Sequence, residues 1–120
     1  MIGSTYIPMG NVLGKLGRYT EAISASKSAI AITPDDDMAY LGIGRALMHL
    51  DRHKEAISAF KSAIAIKPDL ADAYNNMGYS LEKLGRDEEA IAAYQRAASL
   101  DPDGYFGEDA RHNIRILRKR

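Results

Sequence analysis

The 120-residue sequence predicts an all-α solenoid of three antiparallel helix pairs closed by a capping helix. Two observations carry that prediction. The first is a strict period: Pro34, Pro68 and Pro102 are 34 residues apart, and Tyr6, Tyr40 and Tyr74 keep the same interval. So do Gly10, Gly44 and Gly78, and Ala22, Ala56 and Ala90, while segments 21–40 and 55–74 are identical at 15 of 20 positions. The second is that apolar residues within each period recur at steps of three and four, which marks one face of a helix. A fixed period of 20–50 residues built from helices is the pattern of a stacked repeat, in which each unit buries its apolar face only against its neighbours. The whole chain, 1–120, reads as one domain with repeats at 3–36, 37–70 and 71–104 and a capping helix at 105–120.

In the first repeat Pro8 suits an opening turn, so the first helix is expected to start near Thr5 to Ile7. Leu16-Gly17 is expected to turn the chain into a second helix that stops before Pro34. In the second repeat Ala39, Tyr40, Ile43, Leu47 and Leu50 mark one helix and Asp51-Arg52 the turn. Ala56, Ile57, Phe60, Ala63 and Ile64 mark the helix that ends before Pro68. The third repeat has its turn at Leu84-Gly85, where glycine suits a left-handed residue closing a helix. Carboxylates at Asp35 to Asp37 and at Asp69 and Asp72 stand where they can cap the following helix and complement its dipole. The tail places Phe106, Ala110, Ile114 and Leu117 on one stripe and reads as an amphipathic cap with a polar outer face.

Composition bounds the chemistry. Hydrophobic residues at 46% and charged ones at 27% suit a soluble globular chain. The absence of cysteine excludes disulfides, thiolate metal sites and cysteine nucleophiles. Sixteen Lys plus Arg balance sixteen Asp plus Glu, which removes any whole-chain attraction to nucleic acid. The N-terminus lacks a basic and then apolar leader, and no apolar run is long enough for a membrane span, so a cytoplasmic protein is expected.

The spacing Tyr40-x-x-Ile43-Gly44-x-x-Leu47, then Ala56-x-x-x-Phe60, then Pro68 resembles the tetratricopeptide repeat. Tyr74, Met77, Gly78, Leu81, Ala90, Tyr94 and Pro102 repeat it in full; Tyr6, Met9, Gly10, Leu13, Ala22 and Pro34 do so with Ser26 in place of the aromatic. The resemblance implies a right-handed superhelix whose concave side is lined by the first helix of each repeat and holds a segment of a partner protein. It places Ser4, Ile7, Asn11, Gly14 and Lys15 there from the first unit, and Met38, Leu41, Arg45, Met48 and His49 from the second. The third contributes Asp72, Asn75, Tyr79, Glu82 and Lys83, with Asn76 alongside.

Asn11, Asn75 and Asn76 can each donate and accept, which suits an extended peptide backbone. Arg45 can fork onto a carboxylate, and Met38, Leu41, Met48 and Tyr79 form an adaptable apolar patch. The alternatives are that part of this patch is inter-repeat core, or that the tail helix covers it. Relatives that serve heat-shock chaperones grip an acidic C-terminal tail with Lys, Asn, Asn, Lys and Arg. The matching sites here are Ile7, Asn11, Gly42, Asp72 and Asn76, so only Asn11 survives and that ligand is not expected.

No catalytic residue, metal or cofactor is expected. His49 and His53 are four apart but fall on either side of the Asp51 turn, which separates them from the one-face geometry of a helical metal pair. His53 aligns with Tyr19 and reads as a packing residue, and His112 has no partner nearby in sequence. The tail cations Arg111, Arg115, Arg118, Lys119 and Arg120 complement a helix C-terminus, with RNA or an anionic surface as the weaker reading. The expected function is non-enzymatic protein–protein interaction through the groove. The competing reading is a self-associating scaffold, or a piece of a longer array, because the first repeat has no preceding helix to pack on.

Overall fold

The computed structural model describes the backbone from Pro8 to Arg120 and the side chains from Gly17 onward. Six helices account for it: α1 (Pro8–Ile32), α2 (Asp37–His49), α3 (His53–Ile66), α4 (Ala71–Lys83), α5 (Asp87–Leu100) and α6 (Tyr105–Arg118). Each helix packs on the next. In addition α2 touches α4 and α4 touches α6, whereas α3 and α5 do not meet. The chain therefore forms two layers, with α2, α4 and α6 on the tighter inner side and α3 and α5 spread on the outer side.

The helix ends follow from local chemistry. Lys67, which precedes Pro68, is extended at φ −132° and ψ 97°, as the proline ring requires of its predecessor. Asp36 caps α2 by accepting the Ala39 N–H at 3.0 Å. No side chain does this for α4, whose Asp72 is turned to other partners. At the inner turns, Arg52 N–H bonds Leu47 O at 2.9 Å and Asp51 N–H bonds Met48 O at 3.0 Å. Arg86 and Gly85 repeat this pattern onto Leu81 and Glu82, so both turns are Schellman closures. Their pivots, Asp51 at φ 65° and Gly85 at φ 77°, sit in the left-handed region.

The core is built where the two helices of a repeat touch. A Cβ on Gly44 would lie 2.5 Å from the Phe60 ring, and one on Gly78 would lie 2.7 Å from the Tyr94 ring. The bare backbone thus gives each aromatic its seat within its own repeat, and both rings are fully buried. Tyr94 donates its hydroxyl to Glu82 at 3.0 Å, and burial beside that carboxylate pushes the phenol well above its ordinary pKa. Ala56, Ala63, Ala90 and Ala97 complete these contacts with no exposure at all. In α6 the buried stripe is Gly107, Ala110, Ile114 and Leu117. Phe106, expected on that stripe, is only half-buried.

The first repeat departs from the expected pair. No turn forms at Leu16-Gly17: α1 is one helix of 25 residues that runs straight through it. The reason lies at position 26, where serine stands in place of the aromatic that holds α2 on α3 and α4 on α5. With no ring to seat on Gly10, the first half of α1 gains little by folding back, and helical continuation prevails. The expected start near Thr5 to Ile7 falls outside the described residues.

Gly17 and Gly85 are equivalent in the repeat but not in conformation. Gly17 is helical, with no atom within 4 Å of the place a methyl would occupy, while Gly85 has φ 77°. Gly17→Ala is expected to stabilise by about 1 kcal/mol, from helix propensity. Gly85→Ala is expected to destabilise by about 1–2 kcal/mol, from left-handed strain. Urea melts of both variants check this, and a loss at both sites would place a turn at Gly17.

Candidate functional site

The inner layer leaves one groove of about 650 Å³, walled by α2, α4 and α6. It is lined by Arg45, Met48 and His49 from α2, by Asp51 and His53 from the turn into α3, and by Asp72, Asn75, Asn76, Tyr79 and Lys83 from α4. Tyr105, Phe106, Asp109 and Asn113 of α6 form the far wall. The cap helix thus borders the groove rather than roofing it.

The residues expected to face the groove divide into four groups. Arg45, Met48, His49, Asp72, Asn75, Asn76, Tyr79 and Lys83 are brought together in it. Leu41 is not: at 2% exposure it belongs to the core. The correction has a simple cause, because position 41 faces the junction between neighbouring helices, where burying a leucine is worth roughly 2 kcal/mol. Met38 is 61% exposed but is not part of the groove lining. Asn11 and Lys15 have side chains outside the described residues.

Polar contacts knit the walls together. Arg45 reaches across from α2 to Asp72 on α4 at 2.6 Å, and Asn76 donates its amide to the other Asp72 oxygen at 2.6 Å. Burial nevertheless holds the Asp72 carboxyl above its ordinary range, with Arg45 and Asn76 only partly offsetting the lost hydration. Asn75 donates to Asp109 of α6 at 3.0 Å, which ties α4 to the cap helix. Its Oδ1 is buried with no hydrogen-bond partner among the described residues. An unmatched buried acceptor costs free energy until a donor reaches it.

Aromatic groups flank this polar centre. Tyr79 lies 41% exposed under the Lys83 ammonium, which stands 5.2 Å from the ring centre. Tyr19 of α1 stacks on His49 at 4.8 Å, and Tyr105 meets Phe106 edge-on at 5.3 Å. His53 is buried between Ser80, 3.1 Å from Nδ1, and Asp51, 2.9 Å from Nε2. His49 and His53 end and begin different helices, as the Asp51 turn requires. An Asp–His–Ser relay is formally present, but Ser80 has no exposure and offers no surface to a substrate.

Sequence reasoning misses the wall supplied by α6 and the presence of His53 on the groove. The period itself holds a signal for the first, since Asp109 lies 34 residues after Asn75. Of the tail cations, Arg111 donates to Pro102 O at 2.9 Å and Arg120 pairs with Glu82 at 3.0 Å, so both serve the fold.

A two-layer helical repeat with its polar and aromatic side chains gathered on one open groove defines an interaction module of the α-solenoid class. The chain belongs to the tetratricopeptide repeat family, whose models match residues 7–71 and 71–103. Among solved structures it is similar to the first such domain of Spaghetti (RPAP3), bound to the HSP90 peptide SRMEEVD, at 25% identity and a TM-score of 0.80. That match covers 92% of this chain and 86% of the other. The Arabidopsis OM64 domain follows at 24% identity and a TM-score of 0.78, covering 92% of this chain and 88% of that one. The Yersinia enterocolitica translocator chaperone SycD shares the fold at 14% identity and a TM-score of 0.75, over 86% of this chain and 78% of its own. No curated protein sequence matches the chain significantly. No helix among the described residues is long and apolar enough to cross a membrane.

Asp72 gives the groove a pH signature. An acid whose folded pKa lies above its unfolded value contributes most while protonated, and that contribution is lost as pH rises through the folded pKa. Asp72→Asn removes the loss, so the stability of the variant relative to wild type is expected to climb between about pH 4 and pH 7. Urea melts at both ends of that range check it; a flat difference would mean the carboxyl is not held high.

Proposed function

We propose that the groove receives a segment of a partner protein and that no bond is made or broken there. The observation that carries this reading is the unmatched Oδ1 of Asn75 on the lining of a groove that is otherwise knit and open. A backbone N–H of an incoming segment supplies the missing donor, and Met48, Tyr79 and Phe106 supply apolar seats beside it. The similarity to a domain bound to a peptide supports the same reading.

The peptide of that neighbour is acidic, and the groove here suits it poorly. Of the five sites that match the family's carboxylate clamp, Gly42 offers no side chain, Asp72 is an anion, and the Asn76 amide is already given to Asp72. Arg45 too is engaged, by the same carboxylate. The fitting ligand is a segment of low net charge that presents backbone groups and an apolar anchor. A second reading, a self-associating scaffold, draws on an uncovered face of α1.

Partners captured from the source lysate by wild type are expected to be lost by an Arg45→Glu, Asn76→Ala double variant whose melting curve shows it folded. Identical partner lists would move the function off the groove. SRMEEVD itself is expected to give no saturable change in fluorescence anisotropy at micromolar concentrations, and saturation that depends on Asn11 would overturn that part of the reading.

A further inference from the structure

The second helix of each repeat carries a face that its own first helix covers. In the second repeat that face is Ala56, Phe60 and Ala63, and in the third it is Ala90, Tyr94 and Ala97; all six have no exposure. The equivalent residues of the first repeat are Ala22, Ser26 and Ala29. Here Ala22 is exposed and the other two are only partly covered. The cause is the continuity of α1. The segment that carries the first-helix pattern, with Gly10 and Leu13 in register with Gly44 and Leu47, extends along the axis and cannot lie on its own neighbour.

We infer that this face is covered by the same segment of a second copy, in a dimer that exchanges the first half of α1. The register closes on itself. Within the intact repeats position 44 sits on 60 and 78 on 94, so the expected partner of 10 is 26. Two α1 helices running antiparallel about a two-fold axis near Arg18 bring 10 onto 26 and 26 onto 10 in one arrangement. Such an interface is isologous and therefore stops at two copies. Each α1 spans about 37 Å, long enough to offer one half to the partner and receive its half in return. The exchange also supplies each groove with its first wall, because segment 8–16 holds Asn11 and Lys15. The dimer stands or falls independently of what the groove binds.

The absence of cysteine makes the test clean. Sedimentation of the full chain is expected to show a monomer–dimer equilibrium. Gly10→Cys and Ser26→Cys variants, mixed and mildly oxidised, are expected to give a covalent dimer that contains one chain of each. Ala22→Glu, at a site exposed in the single chain, is expected to keep its helical signal and weaken the dimer at least tenfold. Ser26→Phe, which restores the aromatic, is expected to tighten it about tenfold or more. A monomer at every concentration overturns the proposal. So does a Gly10→Cys, Ser26→Cys double variant that oxidises within one chain, or a dimer indifferent to Ala22→Glu.

Discussion

Everything in this fold rests on a ring seated on bare backbone. Phe60 lies on Gly44 and Tyr94 on Gly78, and those two contacts set how closely the helices of a repeat approach. Close approach in turn sets the tilt at which the next pair stacks, and so brings α2, α4 and α6 together while α3 and α5 stay apart. A methyl in either glycine would have to displace an aromatic ring that is already fully buried, at a cost of about 1–3 kcal/mol. Where the ring is missing, at Ser26, the pair does not close. The exception and the rule therefore have one cause.

The groove is a by-product of that packing rather than a separately built feature. The inner layer has to present one face of three helices to solvent, and the residues on it are free to vary because the core needs nothing from them. What they do instead is tie neighbouring helices by polar contacts: Arg45 to Asp72, and Asn75 to Asp109. These bonds fix the spacing of the walls while leaving Tyr79 and Tyr105 open to solvent. Rigid walls with exposed rings lower the ordering cost of binding a flexible segment.

Much of this is legible in the sequence, because the period reports which positions must be alike. Helix ends at the prolines, the left-handed pivots at Asp51 and Gly85, and the buried Ala56 and Ala90 all follow from repeating one unit. Sequence and structure part where a unit lacks a neighbour or a residue. Leu41 holds a groove position in the repeat, yet whether a residue there is lining or core depends on its size and on the helix packed beside it. The wall from α6 escapes the period because the tail departs from the repeat in sequence while keeping its place in space. The turn expected at Leu16-Gly17 does not form because a turn signal is local, whereas closing a hairpin requires a distant contact that Ser26 cannot make.

The gap between α3 and α5 has a mechanical meaning. With no contact between the outer helices, the array resembles a leaf spring clamped on its inner side, where stretching the outer layer breaks nothing. Small rotations at the α3–α4 seam change the girth of the groove while leaving both seated rings in place. Partners of different thickness can thus be gripped by the same walls, with elasticity supplied by an interaction the chain never makes.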